Sequence, residues 1–197
     1  VSGVSPACSS VTPKLAVIAW LPRHECGVSE RLFRRASALR AAAAFVQSGL
    51  KCPVLDNVRA EIWLKLWGNL TFNPISALTH ATLVDMCEDP NGRELAAQMM
   101  REAQAVAEAL GITFRVTLEK RIDGAAKVGR HKTSMLQDVE AGRSLEIDAL
   151  VGSVVELGRL AGVPTPTITA IFNATKLLDR TMEREMVAVR AIQLPSS

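Results

Sequence analysis

From residue 57 onward the apolar positions recur at helical spacing almost to the end of the chain. Asp89-Pro90 offers a cap followed by a proline suited to the first helical position. Behind it Leu95, Met99, Ala103, Val106 and Leu110 form one stripe, and Gly111 ends the helix. A shorter helix is predicted from about Thr117, with Leu118, Ile122 and Ala125 inward. Ser134 and Ser144 each stand where a helix can start, and the second of these helices carries Ile147, Val151, Val154 and Leu157 before Gly162. Thr165-Pro166 opens the last helix, whose apolar side is Ile168, Ile171, Phe172, Met182 and Met186.

The first 56 residues read differently. Leu15 to Trp20 is a continuous apolar run, LAVIAW, that suits a buried strand, although periodicity alone does not exclude a helix. Ser29 reads as an N-cap, with Leu32, Ala36, Leu39, Ala43 and Val46 on one stripe and Gly49 as the stop. Cys52 to Leu55 is expected to be a short strand, and Asp56 to cap the helix that follows. Strand, helix, strand is the tail of an α/β layer whose other strands are absent. The predicted organisation is therefore mainly α: a helical domain over 57–197 behind a short α/β remnant over 1–56.

The most informative stretch is Ile62 to Val84, IWLKLWGNLTFNPISALTHATLV, in which Lys65 is the one formally charged residue before Val84. Lys65, Asn69, Asn73 and Pro74 interrupt every window long enough to cross a bilayer, which argues against a membrane span. At 100° per residue Lys65, Asn69 and Asn73 fall at roughly 0°, 40° and 80° and share one face. Apolar residues cover much of the remaining circumference, so the helix belongs inside a protein and its polar residues need partners or a cavity. Pro74 cannot donate to the Leu70 carbonyl, so a kink is expected there. By spacing alone Lys65 reads as a lysine reaching solvent. Asn69 and Asn73 suit interhelical hydrogen bonds as well as they suit a ligand. Further on, Ser134 and Asp138 lie one above the other, and Glu146 falls in the first turn of a helix, where its charge favours the dipole. Capping would account for all three without any substrate.

Composition narrows the class. With 197 residues, 48% hydrophobic and 22% charged, the chain can bury a core and is not a disordered tail. The net charge of +3 is too small to argue for a nucleic-acid or membrane partner. Cys8, Cys26, Cys52 and Cys87 are far apart without a Cys-x-x-Cys, and His24 with Cys26 is a lone pair, so no metal site is expected. Reduced thiols in a cytoplasmic protein are the simpler reading. No basic start followed by an apolar core marks a signal peptide. The chain starts at Val1 rather than Met, so a preceding segment is expected.

Three blocks carry a family resemblance. AEIWLKLWGNLTFNPISALT, then KTSMLQDVEAGRSLEID, then GRLAGVPTPT, in this order and separation, resemble the C-terminal domain of the ketopantoate reductase (2-dehydropantoate 2-reductase) family. GVSERLFRRASALRAAAAFVQSGLKCPVLDNVRAEIW is similar to the end of that family's N-terminal dinucleotide domain, so the resemblance covers about residues 27 to 180. It implies a helical domain of the 6-phosphogluconate dehydrogenase C-terminal-like type behind the remnant of a Rossmann domain. It also implies NADPH as cofactor and the reduction of ketopantoate, or a related 2-oxo acid, to the 2-hydroxy acid on the route to pantothenate and coenzyme A.

By resemblance Lys65 matches the catalytic lysine and Glu146 the active-site glutamate, while Asn69, Asn73 and Ser134 match substrate-binding positions. A lysine in dry surroundings beside Trp63 and Leu66 would have its pKa lowered, which is what the role asks of it. Leu83 and His131 stand where the resemblance places asparagines. No Gly-x-Gly-x-x-Gly follows a strand, so the cofactor half is expected to be largely absent. The expected partners are a small 2-oxo acid and a second copy of the chain, the latter through apolar surface left where the missing half would dock. The rival reading is a non-catalytic helical module, derived from such an enzyme, for dimerisation or partner binding.

Overall fold

The computed structural model describes residues 28–55 and 57–192, with side chains from Arg35 onward. The LAVIAW segment, the His24–Cys26 pair and the Asp56 cap lie outside the described residues. The fold divides into two compact units with the boundary between Asn57 and Val58.

In the first unit helix α1 runs Val28–Gln47, so helix begins one residue ahead of the Ser29 cap the sequence suggests. Gly49 takes a positive φ of 81°, the left-handed conformation that ends helices. Residues 51–55 are not a strand, contrary to expectation. A strand is held by ladder bonds to a neighbour, and none is formed by this segment among the described residues. The expected apolar stripe is not a buried face either: Ala42 is buried, whereas Leu39 is 51% and Val46 57% exposed.

Among its described residues the second unit holds helices joined by loops and no strand. Helix α2 spans Val58–Thr79 and continues through Pro74. It is followed by α3 (Leu83–Glu88), α4 (Pro90–Ala109), α5 (Leu118–Ala126) and α6 (Ser134–Ala141). A π-helical turn, Asp148–Gly152, leads directly into α7 (Ser153–Ala161), and α8 (Pro166–Glu185) is the last helix among the described residues. Helix α2 is the hub, packing against α3, α4, α6, α8 and the π turn. Its Trp67 is fully buried, stacks on Phe114 with ring centroids 4.2 Å apart, and donates from Nε1 to the Met100 carbonyl at 2.8 Å.

Local start signals account for several boundaries. The Asp89 side chain accepts from Gly92 N at 2.7 Å with Pro90 in the first turn, and Thr117 caps α5 through Lys120 N. Helix α6 is capped by Thr133, which accepts from Leu136 N, so Ser134 is its first residue and not its cap. Ser144 caps nothing: helical backbone starts at Ile147, with Glu146 just ahead of it. Met186, expected on the apolar side of α8, is 88% exposed and ends that helix in a left-handed conformation.

Candidate active site

Helix α2 brings Lys65, Asn69 and Asn73 along one face. The three differ in depth: Lys65 is exposed, Asn69 half-buried and Asn73 buried at 6%. None of their side chains makes a hydrogen bond or ion pair among the described residues, so the ammonium and both amides remain uncommitted. The dry setting expected for Lys65 is not found. Trp63 and Trp67 lie about 160° to 200° around the helix from it and take the core side, which turns Lys65 outward.

Lys65 lines a cleft of about 440 Å³ together with Glu61, Leu64, Val116, Lys120 and Arg121. Asn69 and Asn73 follow Lys65 along α2 but do not line that cleft. Ser134 begins α6, and Glu146 immediately precedes the helical start at Ile147; both elements pack against α2. Ser134 and Glu146 are exposed, and no ion pair joins Glu146 to Lys65 among the described residues.

The backbone around Glu146 is held from both sides. Leu145 and Ile147 are buried and flank the exposed glutamate. Leu145 N donates to the Asp179 carboxylate of α8 at 2.9 Å, and Lys176 pairs with Asp148 at 2.6 Å and with Asp179 at 3.5 Å. The bond to Asp148 is the main reason that the Lys176 pKa is raised above the ordinary lysine value. The π turn adds a second constraint, since a Cβ at Gly152 would press on the Phe172 ring at 3.0 Å. Such turns are frequent at functional sites. Asp179 and Lys176 were not singled out by sequence reading, because a contact 34 residues away leaves no local signal.

His131 is exposed and Leu83 half-buried. Their backbones meet, with Leu83 N donating to the His131 carbonyl at 3.0 Å. Among the described residues there is no cluster of three or more metal-ligating side chains, and Cys52 and Cys87 are free thiols. No helix among them is long and apolar enough to cross a membrane.

The second unit is thus an all-helical one among the described residues, built around one long, largely buried helix with a polar row along one face. Residues 57–179 match the family model described as "Ketopantoate reductase PanE/ApbA C terminal". The chain belongs to the ketopantoate reductase family. It is 56% identical over 137 residues to a 2-dehydropantoate 2-reductase of Mesorhizobium japonicum, covering 70% of this chain and 42% of that protein. The crystal structure of 2-dehydropantoate 2-reductase from Methylococcus capsulatus superposes with a TM-score of 0.68 at 30% identity, over 74% of this chain and 47% of that one. A dimeric ketopantoate reductase from Staphylococcus aureus gives a TM-score of 0.61 at 26% identity, over 79% of this chain and 52% of that one. The chain thus spans about half the length of the relatives it matches, or less.

Proposed function

We propose that this chain is the substrate-binding half of an NADPH-dependent 2-dehydropantoate 2-reductase, with ketopantoate or a closely related 2-oxo acid as substrate. The observation that carries the reading is the row Lys65, Asn69, Asn73: one ammonium and two amides on a single helix face, all uncommitted, in a chain 56% identical to such a reductase. The described residues contain no strand and no glycine-rich turn that would hold a dinucleotide. The segment before residue 57 is read as the end of the dinucleotide domain. NADPH held by such a dinucleotide domain would supply a hydride to the keto carbon.

The chain's own residues then act on the oxygen. Charge develops there as the carbonyl is reduced, and a donor or cation aimed at it lowers the barrier. Lys65 Nζ carries both the charge and a proton to give, and it turns the nascent alkoxide into the hydroxyl. Asn69 and Asn73 offer donors and acceptors that orient the acid without adding charge. Ser134 offers its hydroxyl as a further substrate-binding group, and Glu146 is the catalytic carboxylate that works with Lys65. Covering of Lys65 by the other half of the enzyme excludes water and strengthens each of these interactions. A cytoplasmic location and self-association belong to the same reading, supported by the free thiols and by the dimeric relative.

Lys65→Ala, in the chain joined to its dinucleotide domain, is expected to lower kcat roughly a hundredfold or more, followed by nicotinamide absorbance with ketopantoate. Unchanged turnover would remove Lys65 from the mechanism.

A further inference from the structure

The cleft beside Lys65 holds a cation that none of the described residues neutralises. Arg121, from α5, is half-buried and makes no hydrogen bond or ion pair among them, and its Nε is cut off from solvent without a partner. Burial lowers its pKa from the ordinary arginine value, yet a guanidinium stays protonated, so the desolvation is left uncompensated. Its position is made by Gly68. A Cβ at that point of α2 would collide with Arg121 Nη2, and only a glycine lets the guanidinium lie against the helix one turn from Lys65. The other charges do not balance it. Lys65 and Lys120 line the same cleft, and Glu61, the one acid lining it, is already bonded to Arg115 at 3.0 Å.

We propose that Arg121 is the carboxylate-binding group of this cleft, gripping the acid end of a small organic acid whose adjacent oxygen faces Lys65. A planar guanidinium matches a planar carboxylate with paired donors, and Leu64 and Val116 give the apolar wall that a short carbon skeleton needs. The identity of the acid as a 2-oxo acid rests on the reductase reading; the demand for a carboxylate rests on the cleft alone. That carboxylate can come from a free acid or from an acidic side chain of the longer protein, and the two sources are separable.

The test is calorimetric titration of the chain with ketopantoate and, separately, with isobutyrate, which has the carboxylate but no oxo group. Both are expected to bind. Arg121→Gln is expected to weaken both by about tenfold or more, and Arg121→Lys to recover only part, since it restores charge without the fork. Gly68→Ala supplies a control that keeps the arginine. It displaces the guanidinium, so binding of both acids falls, while the thermal midpoint holds or rises because alanine favours helix. Equal binding by the unaltered chain and Arg121→Gln overturns the proposal. So does failure of either acid to bind the unaltered chain, which would assign the guanidinium to a side chain of the longer protein. Isobutyrate held through Arg121 in an enzyme that never turns over ketopantoate keeps the carboxylate site and removes the reductase reading. Turnover with an unchanged KM in Arg121→Gln does the reverse.

Discussion

Two residues apart on one helix, Lys65 and Trp67 divide the work of α2 between chemistry and anchoring. Trp67 is fully buried, stacked on Phe114 and bonded to the Met100 carbonyl, so it fixes the rotation of the helix that presents Lys65. Trp67→Ala is expected to cost about 3–5 kcal/mol, read from the midpoint of urea unfolding. A loss under about 1 kcal/mol would mean the core closes over the gap far better than such cores do. The polar row was legible in the sequence because helical spacing alone places 65, 69 and 73 together. Spacing alone also pointed Lys65 to solvent, as found; the dry setting came from the role that the family resemblance implied, against the two tryptophans opposite. Arg121 left a fainter trace: Gly68, an isolated glycine in a strongly apolar helix, usually has a packing reason. Which side chain fills the space it leaves depends on the partner helix.

Among the helices, boundaries set by neighbouring residues were readable and boundaries set by distant ones were not. Asp89-Pro90 and Thr117 act within one turn and start α4 and α5 as expected. Helix α8 shows the opposite case. Thr165 forms no capping hydrogen bond at its start; instead Glu102 of α4 accepts from Thr167 N and Ile168 N, each at 2.9 Å. A cap supplied 65 residues away cannot be seen in a local pattern. Glu102→Ala is expected to destabilise the unit by about 1–2 kcal/mol, the upper range for loss of a helix cap, measured by chemical denaturation. Amide exchange in the first turn of α8 should rise with it. The start at Ile147 had a similar origin, since burial of Leu145 and Ile147 around Glu146 outweighed the capping preference of Ser144.

For the molecule as a whole, stability should depend on pH at both ends of the scale. Asp85 is held below the ordinary carboxylate value chiefly by the Thr82 side chain, and Glu140 chiefly by its bond to Lys132. Groups with lowered folded pKa values contribute fully above their unfolded values, about 3.9 for Asp and 4.3 for Glu, and lose that contribution as pH falls through the folded ones. Lys176 has the opposite sign: its contribution is complete below the unfolded value, about 10.4, and is lost as pH rises through the raised folded value. Thermal melts should therefore give a midpoint that is level between about pH 5 and 9 and falls beyond either end. Asp85→Asn should flatten the acid limb; an unaltered limb would take Asp85 out of the account.

The clasp from α8 has a further consequence. Asp179 and Lys176 grip the chain on either side of Glu146, so the orientation of that carboxylate is governed by the last helix among the described residues. Trimming the C-terminus back past α8 would therefore do more than expose apolar surface. It would unmoor the glutamate and, in the same cut, take away one of the helices against which α2 and its polar row are packed.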